Sequence, residues 1–207
     1  MSDEMTGKRR LRGELLAART LLTSEDARKA AVVLAHHALD LTELAGARTV
    51  AAYVSVGREP GTRELLEAMR ARGVRVLLPV LLPDNDLDWA VYEGAERLVR
   101  AGRGLLEPDG TRLGADAVLE ADVVLLPGLA VDGRGMRLGR GGGSYDRVLG
   151  RLARAGAEPT LAVLLYGDEL VARVPAEPHD RPVRAVVTPE GVRRFDGGAG
   201  ERRQHGG

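Results

Sequence analysis

The sequence has no cysteine, which excludes disulfides, thiolate catalysis and cysteine-ligated zinc and is compatible with a reducing compartment. It has no excess charge of either sign. Its 30 basic residues meet 30 acidic ones, so no large one-sign field steers the chain to nucleic acid or to an anionic membrane. Long hydrophobic runs are also missing: no stretch reaches the roughly 18 apolar residues of a membrane span. The opening MSDEMTGKRRLRGELLAARTLLTS places acids and bases where a secretory signal needs an apolar core, so a cytoplasmic location is expected. The four histidines are scattered and make no zinc pattern, and no serine has an obvious base nearby, so triad chemistry has no support. Lysine is nearly absent, Lys8 and Lys29 standing among 30 cations, and 27 glycines far exceed the usual share of about 7%. Such enrichment is what nucleotide bias produces, so an isolated Arg-Gly string carries less information here and a retained lysine more.

What is present reads as an ordinary globular chain, with 44% hydrophobic and 29% charged residues in 207 positions. That length buries roughly 70% of the surface exposed by the unfolded chain, enough for one well-cored domain. The domain is expected over residues 1–194, with a polar, glycine-rich tail at 195–207 that is expected to be disordered. Leu11, Leu15 and Leu16 recur at helical spacing, and Thr23-Ser24-Glu25-Asp26 opens a second amphipathic helix. Residues 49–56 (TVAAYVSV) read as a strand, Thr62 as the cap of a helix with Leu65, Leu66 and Met69, and VRVLLP after Gly73 as the next strand. That is a βαβ unit. Further strands are expected at 87–91, 122–126, 161–165 and finally 183–188, with a helix at 144–154. Strands alternating with helices predict an α/β fold with a mostly parallel sheet covered on both faces.

The connection from Pro127 to Gly143 shows no periodicity and exceeds the length of about 12–15 residues above which loops usually carry function. It leaves a buried strand and enters a helix, which is the carboxyl edge of a parallel sheet, where ligands bind. Gly139, Gly141, Gly142 and Gly143 permit the backbone to turn its N–H groups inward before a helix start, an arrangement that cradles phosphate. Arg137 and Arg140 supply charge-assisted hydrogen bonds to phosphoryl oxygens. A flexible, arginine-biased surface loop is the other reading of these residues. Neither a P-loop nor a dinucleotide fingerprint fits the string. Asp146, in the first turn of the following helix, suits the helix dipole and also a Mg(II) held beside phosphate; Asp180 is a second acid or a turn residue. Lys8 and Arg12 share one helix face and read, by themselves, as a solvated stripe.

The string LLPGLAVDGRGMRLGRGGGSYDRVL (125–149) resembles the central motif of the 5-formyltetrahydrofolate cyclo-ligase family, also called 5,10-methenyltetrahydrofolate synthetase. KRRLR at 8–12, YVSVGREPGT at 53–62, LLEP at 105–108 and VPAEPHD at 174–180 follow the family order, so the resemblance spans about 8–188. It implies a Rossmann-like three-layer α/β/α fold. It also implies an ATP- and Mg(II)-dependent ring closure of 5-formyltetrahydrofolate to 5,10-methenyltetrahydrofolate, with ADP and phosphate released. By the same resemblance Lys8, Arg12 and the run Arg137, Leu138, Gly139, Arg140, Gly141, Gly142, Gly143, Ser144 and Tyr145 contact ATP. Arg140 to Ser144 also face the formyl-bearing substrate, Val54 and Glu59 stand on the folate side, Arg140 and Tyr145 serve the chemistry, and Asp146 and Asp180 hold the metal. Three positions depart from the family pattern: Ser144 replaces a frequent tyrosine, Arg103 a frequent aromatic, and Arg184 a frequent acid. The expected partners are small molecules, ATP and a reduced formyl-folate, rather than nucleic acid or membrane. The competing readings are a non-catalytic nucleotide- or phosphate-binding regulator and an ATP-dependent enzyme acting on a different formamide or carboxamide.

Overall fold

The computed structural model describes residues 2–177 and 180–195, with side chains from Met5 onward. The chain runs through helices α1 (Ser2–Leu21), α2 (Ser24–Leu39) and α3 (Thr42–Ala45), then strand β1 (Thr49–Ala51), helix α4 (Arg63–Ala71) and the hairpin β2 (Arg75–Leu81) and β3 (Leu87–Val91). Short strands β4 (Leu98–Arg100) and β5 (Leu106–Pro108) precede β6 (Val123–Leu126), β7 (Ala130–Asp132) and β8 (Arg137–Leu138). Helix α5 (Ser144–Ala155), β9 (Thr160–Leu164), β10 (Leu170–Val171), β11 (Ala185–Thr188) and β12 (Gly191–Arg194) complete the described chain.

Seven strands form the main sheet in the order β12-β11-β9-β6-β1-β2-β3. The five central strands are parallel, and β3 and β12 close the two edges antiparallel. Their sequences explain the layers. A strand sends alternate side chains to opposite faces, and central strands buried on both sides must be apolar throughout. Val123 and Leu125 of β6 pack with Leu34, Leu65, Leu66 and Met69 of α2 and α4 on one face. Val124 and Leu126 pack with Val148, Leu149 and Leu152 of α5 and with Trp89 on the other. The same split runs through β1, where Val50 faces the first layer and Ala51 the second. The fold is therefore a three-layer α/β/α structure with a mostly parallel sheet. A third, smaller cluster seats α1 on a three-stranded sheet, β10-β7-β8, through Leu15, Leu129, Leu138 and Val174.

Several local expectations are corrected. The first strand stops at Ala51, and 52–56 continues outside the ladder. Thr62 precedes α4 without capping it; its hydroxyl accepts the Ser55 N–H at 2.9 Å instead, tying the end of the β1 segment to the helix start. The 127–143 connection, expected as one irregular loop, contains the β7–β8 hairpin. The strand at 183–188 is not the last, because β12 pairs antiparallel with it. Phe195, assigned to the tail, packs into the second core face with 8% exposure. Residues 196–207 of the expected tail lie outside the described residues.

Candidate functional site

A cavity of about 610 Å³ opens above the carboxyl ends of β1, β2 and β6, and every site residue singled out in the sequence lines it. Three walls build it. The segment after β1 supplies Tyr53, Val54, Val56 and Glu59; the 127–146 connection and the start of α5 supply Pro127 and Arg137 to Asp146; α1 supplies Lys8 and Arg12. Pro79, Leu81, Leu87, Leu105 and Leu106 add an apolar region, with Glu107 among them, that periodicity did not connect to the site. The only sequence signal for it was the LLEP string.

The glycine-rich turn is held by two arginines. Arg12 Nε donates to the Gly139 carbonyl at 2.8 Å, and Gly141, at φ +92°, leaves only 3.4 Å between the Arg12 guanidinium and the place a Cβ would occupy. A side chain there meets both a strained backbone and this cation. A Cβ on Gly139 would approach Arg137 Nη1 to 2.7 Å. Gly143 stands at the α5 N-terminus and caps it with no side chain, so no side chain competes for the first-turn N–H groups of α5, which are an anion site by geometry and dipole.

The charged residues divide by burial. The Arg137 side chain is 8% exposed, donates to the Pro127 carbonyl at 3.0 Å and reaches Asp146 Oδ1 at 3.3 Å. Burial pulls its pKa below the ordinary guanidinium value, against the opposing charges of Asp146 and Asp180. Expected as a phosphate fork, Arg137 is in this structure an internal strut of the turn. Leu138 likewise puts its side chain in the core, at 1% exposure. Arg140 is half-exposed and lies 3.5 Å from Glu59 Oε1, while Glu59 Oε2 accepts the Val56 N–H at 2.8 Å. Lys8 Nζ lies 3.3 Å from Asp180 and 3.9 Å from Glu177. The residue read as a phosphate contact and one read as a metal acid are therefore paired with each other. Asp146 is largely exposed at the start of α5. Ser144, Gly142 and Val54 complete the lining without charge.

Two phenols border the cavity. Burial, reinforced by the Glu59 charge, raises the pKa of Tyr53 and of Tyr145 well above the ordinary phenol value, so both remain O–H donors at neutral pH. The Tyr145 hydroxyl is buried with no hydrogen-bond partner among the described residues. Behind the site Arg19 forms a bidentate buried pair with Glu169, at 2.6 and 2.9 Å, and donates to the Gly128 carbonyl at 2.8 Å. Through Glu169 and Gly128, Arg19 locks α1, which carries Lys8 and Arg12, to the segments leaving β9 and β6.

Comparison with known proteins agrees with this geometry. The model of the "5-formyltetrahydrofolate cyclo-ligase family" matches residues 4–189. A 5-formyltetrahydrofolate cyclo-ligase of Mycolicibacterium smegmatis is 46% identical over 148 residues, covering 69% of this chain and 74% of that protein. One from Haemophilus influenzae is 31% identical over 185 residues, covering 87% and 96%. The solved structure of Aquifex aeolicus 5,10-methenyltetrahydrofolate synthetase superposes with a TM-score of 0.78 at 27% identity, over 97% of this chain and 99% of that one. The fold, the cavity above the sheet and these relatives agree, and the chain belongs to the 5-formyltetrahydrofolate cyclo-ligase family.

Proposed function

We propose that the cavity closes 5-formyltetrahydrofolate to 5,10-methenyltetrahydrofolate at the expense of ATP, releasing ADP and phosphate. One observation carries the reading: a glycine-rich turn at a helix N-terminus and an apolar, carboxylate-bearing wall share a single cavity, so a polyphosphate and a flat ring fit side by side. The chemistry needs that neighbourhood. A formyl oxygen is a poor leaving group. Its attack on the γ-phosphorus of ATP expels ADP and leaves an activated imidate phosphate. The neighbouring amine nitrogen then attacks the formyl carbon and loses its proton, and the oxygen departs within phosphate. Such catalysis rests on positioning and charge neutralisation, and no protein nucleophile is required.

In this reading Lys8, Arg12 and the 139–145 turn hold the phosphates, and Arg140 exchanges Glu59 for the transferring phosphoryl group. Tyr145 supplies an O–H donor, and Val54 and Glu59 border the folate. Asp146 and Asp180 are the acids for Mg(II). They fit it in number, since Mg(II) takes one or two carboxylates and completes its shell with phosphate oxygens and water, and no denser ligand cluster exists among the described residues. When bound, the ion neutralises charge on the phosphate oxygens. The Lys8–Asp180 pair opens as Lys8 turns to the nucleotide. A cytoplasmic setting, with small molecules as the partners, belongs to the same proposal; no helix among the described residues is long and apolar enough to cross a membrane.

The test is spectroscopic. Purified protein given ATP, Mg(II) and 5-formyltetrahydrofolate should generate the methenyl chromophore, and omitting any one of the three should abolish it. Folded protein that binds ATP yet yields no methenyl product from any reduced formyl-folate would overturn the proposal in favour of a nucleotide-binding regulator.

A further inference from the structure

Glu107 is a carboxylate for which the roles above have no use. It sits in β5, is 8% exposed, and lines the cavity among Leu81, Leu87, Leu105 and Leu106. Its Oε1 accepts the Leu81 N–H at 2.9 Å. Among the described residues its carboxylate has no other hydrogen-bond partner and no cation within ion-pairing distance. A carboxylate offers about four acceptor sites, and one removed this far from water is costly unless donors meet it. Glu59 is in the opposite situation: Arg140 faces one of its oxygens and the Val56 N–H occupies the other. Among the carboxylates of this cavity, Glu107 is the one set among leucines, with an oxygen that no donor among the described residues meets.

We infer that Glu107 recognises the aminopyrimidinone edge of the reduced pterin, and so sets folate affinity and orientation; the inference rests on the proposed function. The leucines around it suit the face of a flat ring, and the carboxylate suits two adjacent N–H donors on that ring's edge. A phosphate is excluded there by like charge, so the ring end and the phosphate end of the cavity are distinguished electrostatically. With the ring edge on Glu107, the formyl group is directed away from the leucines toward the glycine-rich turn. Glu59, released as Arg140 turns to the phosphoryl group, borders the same folate from the segment after β1.

Glu107→Gln tests this, because the amide oxygen still accepts from Leu81 while the amide N–H₂ opposes the ring's donors. The KM for 5-formyltetrahydrofolate should rise about 10-fold or more, with the KM for ATP and the melting temperature nearly unchanged. A folate analogue with methyl in place of the 2-amino group should be about 10-fold or more poorer than the natural folate for the wild type, and Glu107→Gln should scarcely discriminate between the two. Glu107→Asp, which retains the charge but withdraws it, carries the same comparisons should the glutamine variant not fold. An unchanged folate KM in an active variant overturns the inference, as does a parallel rise in both KM values or equal discrimination against the analogue by variant and wild type. Absence of methenyl product from the wild type is a separate result and overturns the proposed function instead.

Discussion

The Tyr145 hydroxyl is buried beside the glycine-rich turn without a hydrogen-bond partner among the described residues, so the folded chain bears the cost of desolvating it. In the proposed reaction that cost is recovered when a phosphate oxygen accepts its hydrogen bond. Tyr145→Phe should therefore melt at the same temperature as the wild type or slightly above it, while kcat falls about 10-fold, as when one donor to developing charge is lost. Thermal melts beside steady-state kinetics decide; an unchanged kcat removes the hydroxyl from the reaction. Arg140 differs, being half-exposed and engaged with Glu59 at 3.5 Å. Arg140→Ala should lower kcat by about 10²-fold or more with little change in folding, and Arg140→Lys should restore only part, because a point charge cannot fork onto two phosphoryl oxygens. Full activity in folded Arg140→Ala would mark the side chain as a surface cation.

At the scale of elements, the β7–β8 hairpin decides where the glycine-rich turn is presented. Its hub is Asp132, 1% exposed, which accepts the Arg134, Met136 and Val174 N–H groups and the Arg134 guanidinium. Burial alone would raise its pKa; these donors outweigh burial and hold the carboxyl below its ordinary value. A pKa lower in the folded than in the unfolded state adds stability that is present above the unfolded value, near 3.9, and is lost as pH falls through the folded one. Asp132→Asn should accordingly cost about 2–4 kcal/mol at neutral pH, and the gap to wild type should narrow once pH drops below about 4. Denaturant titrations between neutrality and pH 3 measure it, and a gap independent of pH would assign the effect to shape alone. The hairpin was hidden in the sequence because strands of three and two residues are too short to show alternation, although Asp132-Gly133 is a turn dipeptide. The Thr62 misreading has a related cause. A threonine before a helix fits an N-cap locally, and only the fold shows that Ser55 N–H competes for its oxygen.

For the whole molecule, the layers were readable because the central strands are apolar on both faces; of the candidate site, the 127–143 connection was readable from its glycines and arginines, whereas Lys8, Arg12, Val54 and Glu59 entered through the family resemblance alone. The far edge was not readable. In β12 all but the first residue are exposed, so Val192-Arg193-Arg194 carries no burial pattern, and Phe195 follows as a single apolar residue before a polar run. Yet Phe195 donates its N–H to the Arg184 carbonyl at 2.9 Å, and its ring lies within 3.3 Å of where a Cβ on Gly135 would stand, in the turn between β7 and β8. The edge strand thus supports, through one ring, the hairpin that carries the glycine-rich turn. Two truncations separate this ring from the residues after it. A chain ending at Phe195 should keep its melting temperature and turnover, since DGGAGERRQHGG offers no apolar periodicity for a core. A chain ending at Arg194 should lose about 2–4 kcal/mol, a fall of roughly 5–10 °C in melting temperature, and Phe195→Ala in the full chain should reproduce most of the loss. Equal melting temperatures for the two truncations would show that Phe195 contributes nothing to the core and would return the domain boundary to residue 194.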